Sequence, residues 1–196
     1  MSIAATDITI CSDALSLLGA EPIVSFDEDN DRARLSARHY PNSRDEMLER
    51  VPWKCARKRV ALALSSQSVV FGLNSAMFAL PGDCIFPWRT NLDIEEGGDG
   101  DIPWEVEGNF IVTSVSALNL HYIYRLLDTS QFDPLLAKAI TYDLMEKFCY
   151  PITNSVTGQQ SFAQMRDNVL KAAAAKNGQM GTKKRYVSTT LTRNVR

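Results

Sequence analysis

Apolar positions recur at steps of three and four through Ile8, Cys11, Leu15 and Leu18, which predicts an amphipathic first helix over about residues 6–18. Thr6 or Asp7 can cap it, because either side chain accepts from an unpaired backbone N–H. Gly19, with Pro22 just beyond, suits its end. A short apolar link, Ile23, Val24 and Phe26, leads to the acids Asp27, Glu28, Asp29 and Asp31. Such acids complement the positive end of a following helix; the alternative, a metal loop, lacks the glycine a calcium loop places at its turn. The second helix is expected from about Asp29 to Val51. Tyr40, Met47, Leu48 and Val51 form its stripe, and Arg44, Asp45, Glu46, Glu49 and Arg50 take the other positions. Pro41 implies a kink or a break, and Pro52 closes the helix. Trp53 comes next, as the candidate structural anchor that locks this helix against its neighbours.

The periodicity changes after Leu64. Gln67 to Phe78 can form one or two short strands, and Pro81-Gly82 is a turn. Trp104 to Val106 and Phe110 to Thr113 flank Glu107-Gly108-Asn109, a hairpin connection. Leu118, Leu120, Tyr122 and Tyr124 alternate with Asn119, His121, Ile123 and Arg125, as in a strand with one face largely buried. Helical spacing then returns. Asp133 can cap a helix that has Pro134 at its first position, with Leu136, Ile140, Leu144 and Phe148 at period four until Pro151. The last helix, about Gln159 to Ala175, carries Phe162, Met165, Val169 and Ala173, and is expected to end at Lys176-Asn177-Gly178. The remaining C-terminal residues have no core-forming period and read as an arm ordered only by a partner.

The expected fold class is therefore α+β. A bundle of about four helices, from residues 1–65 and 126–175, holds an inserted small antiparallel β subdomain at 66–125. An extended basic C-terminal arm covers 176–196. A chain of 196 residues with 45% hydrophobic content can bury one good core. No apolar run approaches the roughly 20 residues that span a bilayer, and the start of the chain has neither the basic nor the apolar region of a secretory leader. That predicts a protein without a membrane span that stays in the cytoplasm where it is made. Cys11, Cys55, Cys84 and Cys149 stand far apart, with no metal-binding spacing, and are expected as reduced, mostly buried thiols.

Charge sharpens this picture. The formal net charge is −2, yet residues 176–196 hold six cations and no acid, leaving 15 cations against 23 acids in the rest. Body and arm are electrostatically opposite. Within the body, Lys54, Arg57, Lys58 and Arg59 crowd together after Trp53. They suit a positive wall meeting DNA phosphates or an acidic partner, or else a solvated helix face near a C-terminus. Glu95, Glu96, Asp99 and Asp101 lie in a glycine-rich loop that resembles a cation loop only faintly.

Catalytic motifs are missing from the sequence: no phosphate-binding glycine loop, no nucleophile elbow, no zinc-protease helix motif. His39 and His121 read as structural rather than as general bases. The expectation is a protein that is not an enzyme, with no cofactor and no metal.

Ala33, Tyr40, Arg44, Asp45, Leu48, Pro52, Trp53, Ala56, Arg59 and Leu62 form the pattern A-x(6)-Y-x(3)-R-D-x(2)-L-x(3)-P-W-x(2)-A-x(2)-R-x(2)-L. Three further stretches come in order: F-A-L-P-G-D-C at Phe78 to Cys84, W-E-V-E-G-N-F-I-V-T at Trp104 to Thr113, and F-D-P-L-L-A-K-A-I at Phe132 to Ile140. Together, over roughly residues 10 to 175, they resemble the tail tubular protein A family, the head-to-tail adaptors of tailed bacteriophages. The resemblance implies a ring, expected to be twelvefold, that joins the portal protein to the tail tube or nozzle and lets double-stranded DNA pass without sequence preference. It implies a place in the virion at the head-tail junction.

On that reading Lys54, Arg57, Lys58 and Arg59 are candidates for the DNA channel or for an interface. Glu95, Glu96, Asp99 and Asp101 are candidates for the tail-facing contact. Lys183, Lys184, Arg185, Tyr186, Arg193 and Arg196 would bind the portal or a neighbouring subunit. The alternative from a different class is a tail-associated hydrolase of cell-wall polymer, which needs a cleft with two carboxylates. A nucleic-acid-binding regulator is disfavoured by the acidic body and by the lack of a basic recognition helix.

Overall fold

The computed structural model describes residues 6–67, 69, 76–92 and 102–179. Among these, four α-helices and two three-stranded antiparallel sheets make an α+β fold. The first helix, α1 (Asp7–Leu17), begins at a reciprocal cap. The Thr9 amide donates to Thr6 Oγ1 at 3.1 Å, and the Thr6 amide donates to Thr9 Oγ1 at 2.6 Å. It ends where Gly19 takes φ +81°, with the Ala20 amide donating to the Leu15 carbonyl and the Gly19 amide to Ser16; only glycine adopts that left-handed cap cheaply.

The acidic link is a staple. Glu28 accepts from the Val24 and Ser25 amides, and Asn30 caps α2 (Asp31–Arg50) by accepting from the Ala33 amide at 2.8 Å. Those amide contacts hold the Glu28 carboxyl below its ordinary range. The proline at position 41 breaks nothing: α2 runs through it. Pro41 and Ala37, whose carbonyl loses its usual donor, both lie exposed, so water can satisfy that group. Tyr40, Ser43, Met47 and Leu48 stay buried around it, and their packing outweighs the lost bond.

The helix α3 (Pro134–Thr153) is the central one, packed against α1, α2 and α4 (Val156–Gln179). Asp133 caps it, accepting from the Leu135 amide at 2.9 Å. It passes the expected stop at Pro151, because Pro151 is exposed and the chain turns only at Asn154, in the left-handed region at φ +53°. Likewise α4 starts before Gln159 and ends beyond Gly178. Lys176 thus belongs to the body, where its ammonium meets Asp133 at 3.1 Å. The first core surrounds Trp53, which is 1% exposed and whose Nε1 donates to the Met47 carbonyl at 2.7 Å. Trp53 thus packs in this core against the last turn of α2.

One sheet has the order β1 (Arg57–Leu62), β6 (Leu118–Tyr124), β3 (Cys84–Thr90); the other runs β2 (Ala76–Ala79), β5 (Phe110–Thr113), β4 (Trp104–Glu107). Pairing begins before residue 66, so Arg57, Lys58 and Arg59 of the basic run lie on a strand and not on a helix face. The β4–β5 hairpin turns at Gly108, φ +58°. Pro87 is tolerated because β3 is an edge strand. The central strand β6 is buried along one face and, on the other, at Ile123, while Asn119 is exposed and His121 half-buried. Ile123 joins the helical core, while Leu118, Leu120 and Tyr122 face Phe78 and Ile111 of the second sheet.

Candidate interaction surface

Strand pairing decides where the basic run points. Side chains alternate across a strand, so Arg57 and Arg59 share one face of β1 and Lys58 takes the other. Lys58 is tied down: its ammonium meets Asp83 at 2.8 Å and lies 3.9 Å over the Tyr124 ring. Asp83 stands in the Pro81-Gly82-Asp83 turn, where the Cys84 amide donates to the Pro81 carbonyl at 2.9 Å. It also accepts from the Tyr122 hydroxyl at 3.0 Å. The Lys58 hydrogen bond holds its carboxyl below the ordinary range, and burial followed by the Asp83 contact pushes Tyr122 up to about 12. Lys58 therefore clamps β1 to the β3 turn. Lys54 sits in the single helical turn Lys54–Ala56 that precedes β1, half-buried.

On the opposite face the register sets Arg59 beside His121 and Arg89 beside His121. Three strands thus line up Arg59, His121 and Arg89 in one row. Trp88, at a register shift in β3, is the aromatic centre of the group. The Arg57 guanidinium lies 3.9 Å from its ring centroid, that of Arg89 lies at 4.4 Å, and His121 meets it edge-on at 4.8 Å. Arg57 is further held by donating to the Pro52 carbonyl at 2.6 Å. Cation–π contact with tryptophan stabilises each arginine by about 0.5–1 kcal/mol at exposed sites, so the cluster is preorganised.

No carboxylate among the described residues lies within ion-pair distance of Arg57, Arg59 or Arg89. The cluster repels itself. Burial and then the Arg89 charge depress the Arg57 pKa, while burial and then Arg59, Arg57 and Arg89 depress that of His121. An external anion would relieve that repulsion.

Of this cluster only Arg57 and Arg59 stand out in the sequence; Arg89, Trp88 and His121 do not. Lys58, adjacent to them in the chain, goes to the other face, and β3 is a strand the hydrophobic pattern did not predict. The usable signal is the two-residue spacing of Arg57 and Arg59 against the Trp88-Arg89 pair. The acidic loop residues Glu95, Glu96, Asp99 and Asp101 lie outside the described residues, as do the arm residues Lys183, Lys184, Arg185, Tyr186, Arg193 and Arg196.

A second charged group lies inside the bundle. Asp143 on α3 is fully buried, with Lys147 at 2.6 Å and Arg166 of α4 at 2.9 Å. Arg166 also contacts Glu146 and Asp167, and Lys147 reaches Glu46 of α2 at 3.1 Å and Ser43 at 3.0 Å. Three helices are joined through it, and every charge has a partner. It reads as a lock on the bundle.

Between α1 and α3 a shallow groove of about 520 Å³ is lined by Ile10, Asp13, Leu17, Lys138 and Tyr142 among others. Its single carboxylate, Asp13, falls short of the pair that glycoside hydrolysis uses. Among the described residues no group of three or more metal-ligating side chains converges, and no helix is long and apolar enough to cross a membrane. No protein-family model matches the chain, and neither does any curated protein.

Proposed function

We propose that this chain is a head-to-tail adaptor of a tailed bacteriophage, a ring-forming structural protein that joins the portal to the tail tube or nozzle and continues the DNA passage. The observation that carries the reading is where the signature residues meet. Asp45 of α2 binds Arg125 at 2.8 Å and its neighbour Arg44 at 2.7 Å. Trp53 and Ala56 are buried at the end of α2, and the turn aspartate, Asp83, ties β1 to β6. Two motif positions far apart in the chain, Asp45 and Asp83, thus meet through Arg125, whose amide donates to the Asp83 carbonyl at 2.7 Å, at one joint between bundle and β layer. A rigid joint of this kind suits a wedge that repeats round a ring, since a heterologous interface closed by rotation generates a ring.

The virion location, the ring and the portal and tail partners all belong to this proposal. So does a role for residues 180–196, the basic arm beyond α4, in holding the portal or the next subunit. An acidic body with a basic extension is suited to ordering on assembly.

The test is cosedimentation with the cognate portal ring. The full chain is expected to travel with the portal, and a chain ending at residue 179 to stay behind while keeping the thermal transition of its body. A full chain that ignores the portal would sink the proposal.

A further inference from the structure

We infer that the face of the first sheet where Arg57, Arg59, Arg89 and His121 gather round Trp88 is a sequence-blind docking surface for the phosphate backbone of duplex DNA. The inference rests on the adaptor reading for DNA being the polyanion at hand, and on geometry for everything else.

The charge balance comes first. In a body with 23 acids against 15 cations up to residue 175, most buried or half-buried cations have found carboxylates. Three arginines on one face have found none among the described residues. Arg59 and Arg89 are exposed, so an incoming anion meets them without displacing protein. Strand spacing of about 4.8 Å puts the Arg59–His121–Arg89 row across roughly 10 Å. Duplex DNA carries one negative charge per about 1.7 Å of axis, so a row of that length faces several phosphates at once.

The residue types decide which part of the nucleic acid is met. Guanidinium offers a planar fork that matches phosphate oxygens, which a lysine point charge does not. Trp88 would be the stacking platform for an unpaired base, but two guanidiniums and the His121 ring already engage it. The row also lies across a three-stranded sheet, not on a helix or a two-stranded ribbon of the kind that enters the major groove, where base edges are read. Phosphate contact without base readout is what remains, and contacts of that kind let DNA slide. The acidic remainder of the body keeps the contact weak, by opposing DNA at long range.

The experiment uses the full chain and a fluorescein-labelled duplex of random sequence, with anisotropy followed over a series of salt concentrations at low ionic strength. Each phosphate contact contributes about 0.9 to the slope of log affinity against log salt. The variant carrying Arg59→Gln and Arg89→Gln should lower that slope by roughly 2. Both side chains are exposed, so the fold should survive. A second variant, Arg59→Lys with Arg89→Lys, keeps the charge and should keep most of the slope. Because the arm beyond residue 179 is also basic, an unchanged slope in the glutamine variant would assign the binding to the arm and overturn the inference. Tighter binding to a poly-glutamate peptide than to the duplex would overturn it too, in favour of an acidic protein partner. Portal cosedimentation is measured separately: a full chain that ignores the portal yet shows the expected loss of slope would sink the adaptor reading alone and leave the phosphate surface standing.

Discussion

Asp143→Ala is the sharpest single test of how the bundle is held. Asp143 is fully buried, and its two oxygens take the Lys147 ammonium at 2.6 Å and the Arg166 guanidinium at 2.9 Å. Removing one partner of a buried ion pair destabilises a protein by about 3–5 kcal/mol, because the remaining charge is stranded. Here the stranded charges are not isolated. Lys147 is 26% exposed and retains Glu46, while Arg166 is 10% exposed and retains Glu146 and Asp167. The loss should therefore fall just below that range, at about 2–3 kcal/mol. For a chain of this size each kcal/mol moves the melting temperature by about 2–4 °C, so thermal denaturation followed by circular dichroism should show a drop of roughly 5–10 °C. Replacing all three charges, Asp143→Leu with Lys147→Met and Arg166→Met, should recover most of it, since apolar substitutes for buried ion pairs are often neutral or better. A single variant that loses less than about 1 kcal/mol, or a triple variant no better than the single, would mean that the buried carboxylate does not hold the bundle.

Other expectations come from the same contacts. Trp53→Ala removes a side chain that is 1% exposed, together with the hydrogen bond to Met47; a loss of about 3–5 kcal/mol is expected in chemical denaturation, and a loss below about 1 kcal/mol would place Trp53 outside the core. His121 has a folded pKa below its ordinary value of 6.5, from burial and then from the neighbouring arginines. The folded chain therefore binds the His121 proton less readily than the unfolded chain. The stability this contributes is present above the unfolded value and is lost as pH falls from there through the folded pKa. His121→Asn should flatten that part of the stability profile, and proton NMR should find His121 titrating below 6.5; titration above it would contradict the cation row. A chain ending at residue 179 should melt at the same temperature as the full chain to within a few degrees, because α4 and the Lys176–Asp133 pair are retained.

Helix content was legible where caps and periods agreed. Thr6, Asp133 and Gly19 announced their roles, and the stripes through Leu15, Tyr40 and Leu144 reached the core they predicted. Prolines were misleading in both directions. Pro41 suggested a kink or break and Pro151 a stop, but each sits on an exposed side of its helix and the helix runs through it, carried by the buried stripe on its other face. Pro87 hid a strand, because proline is tolerated at sheet edges and bulges, and Pro87 is on an edge strand beside a register shift. The basic run was visible as a charge cluster, yet its division between two faces depends on strand pairing with β6, a partner some sixty residues away in the chain. No local pattern could bring Arg89 and His121 to Arg59. The Asp143 lock was equally hidden, since a lone acid on a helix declares itself only once Arg166 arrives from α4.

The measurement that tests the adaptor reading most directly is the mass in solution by light scattering, first of the chain alone and then of the chain mixed with its cognate portal ring. The expected result is a complex heavier than the portal by a whole ring of adaptor subunits, formed with the full chain and lost when it ends at residue 179. A chain that stays the same compact species in the presence of the portal, with the portal mass unchanged, would contradict it.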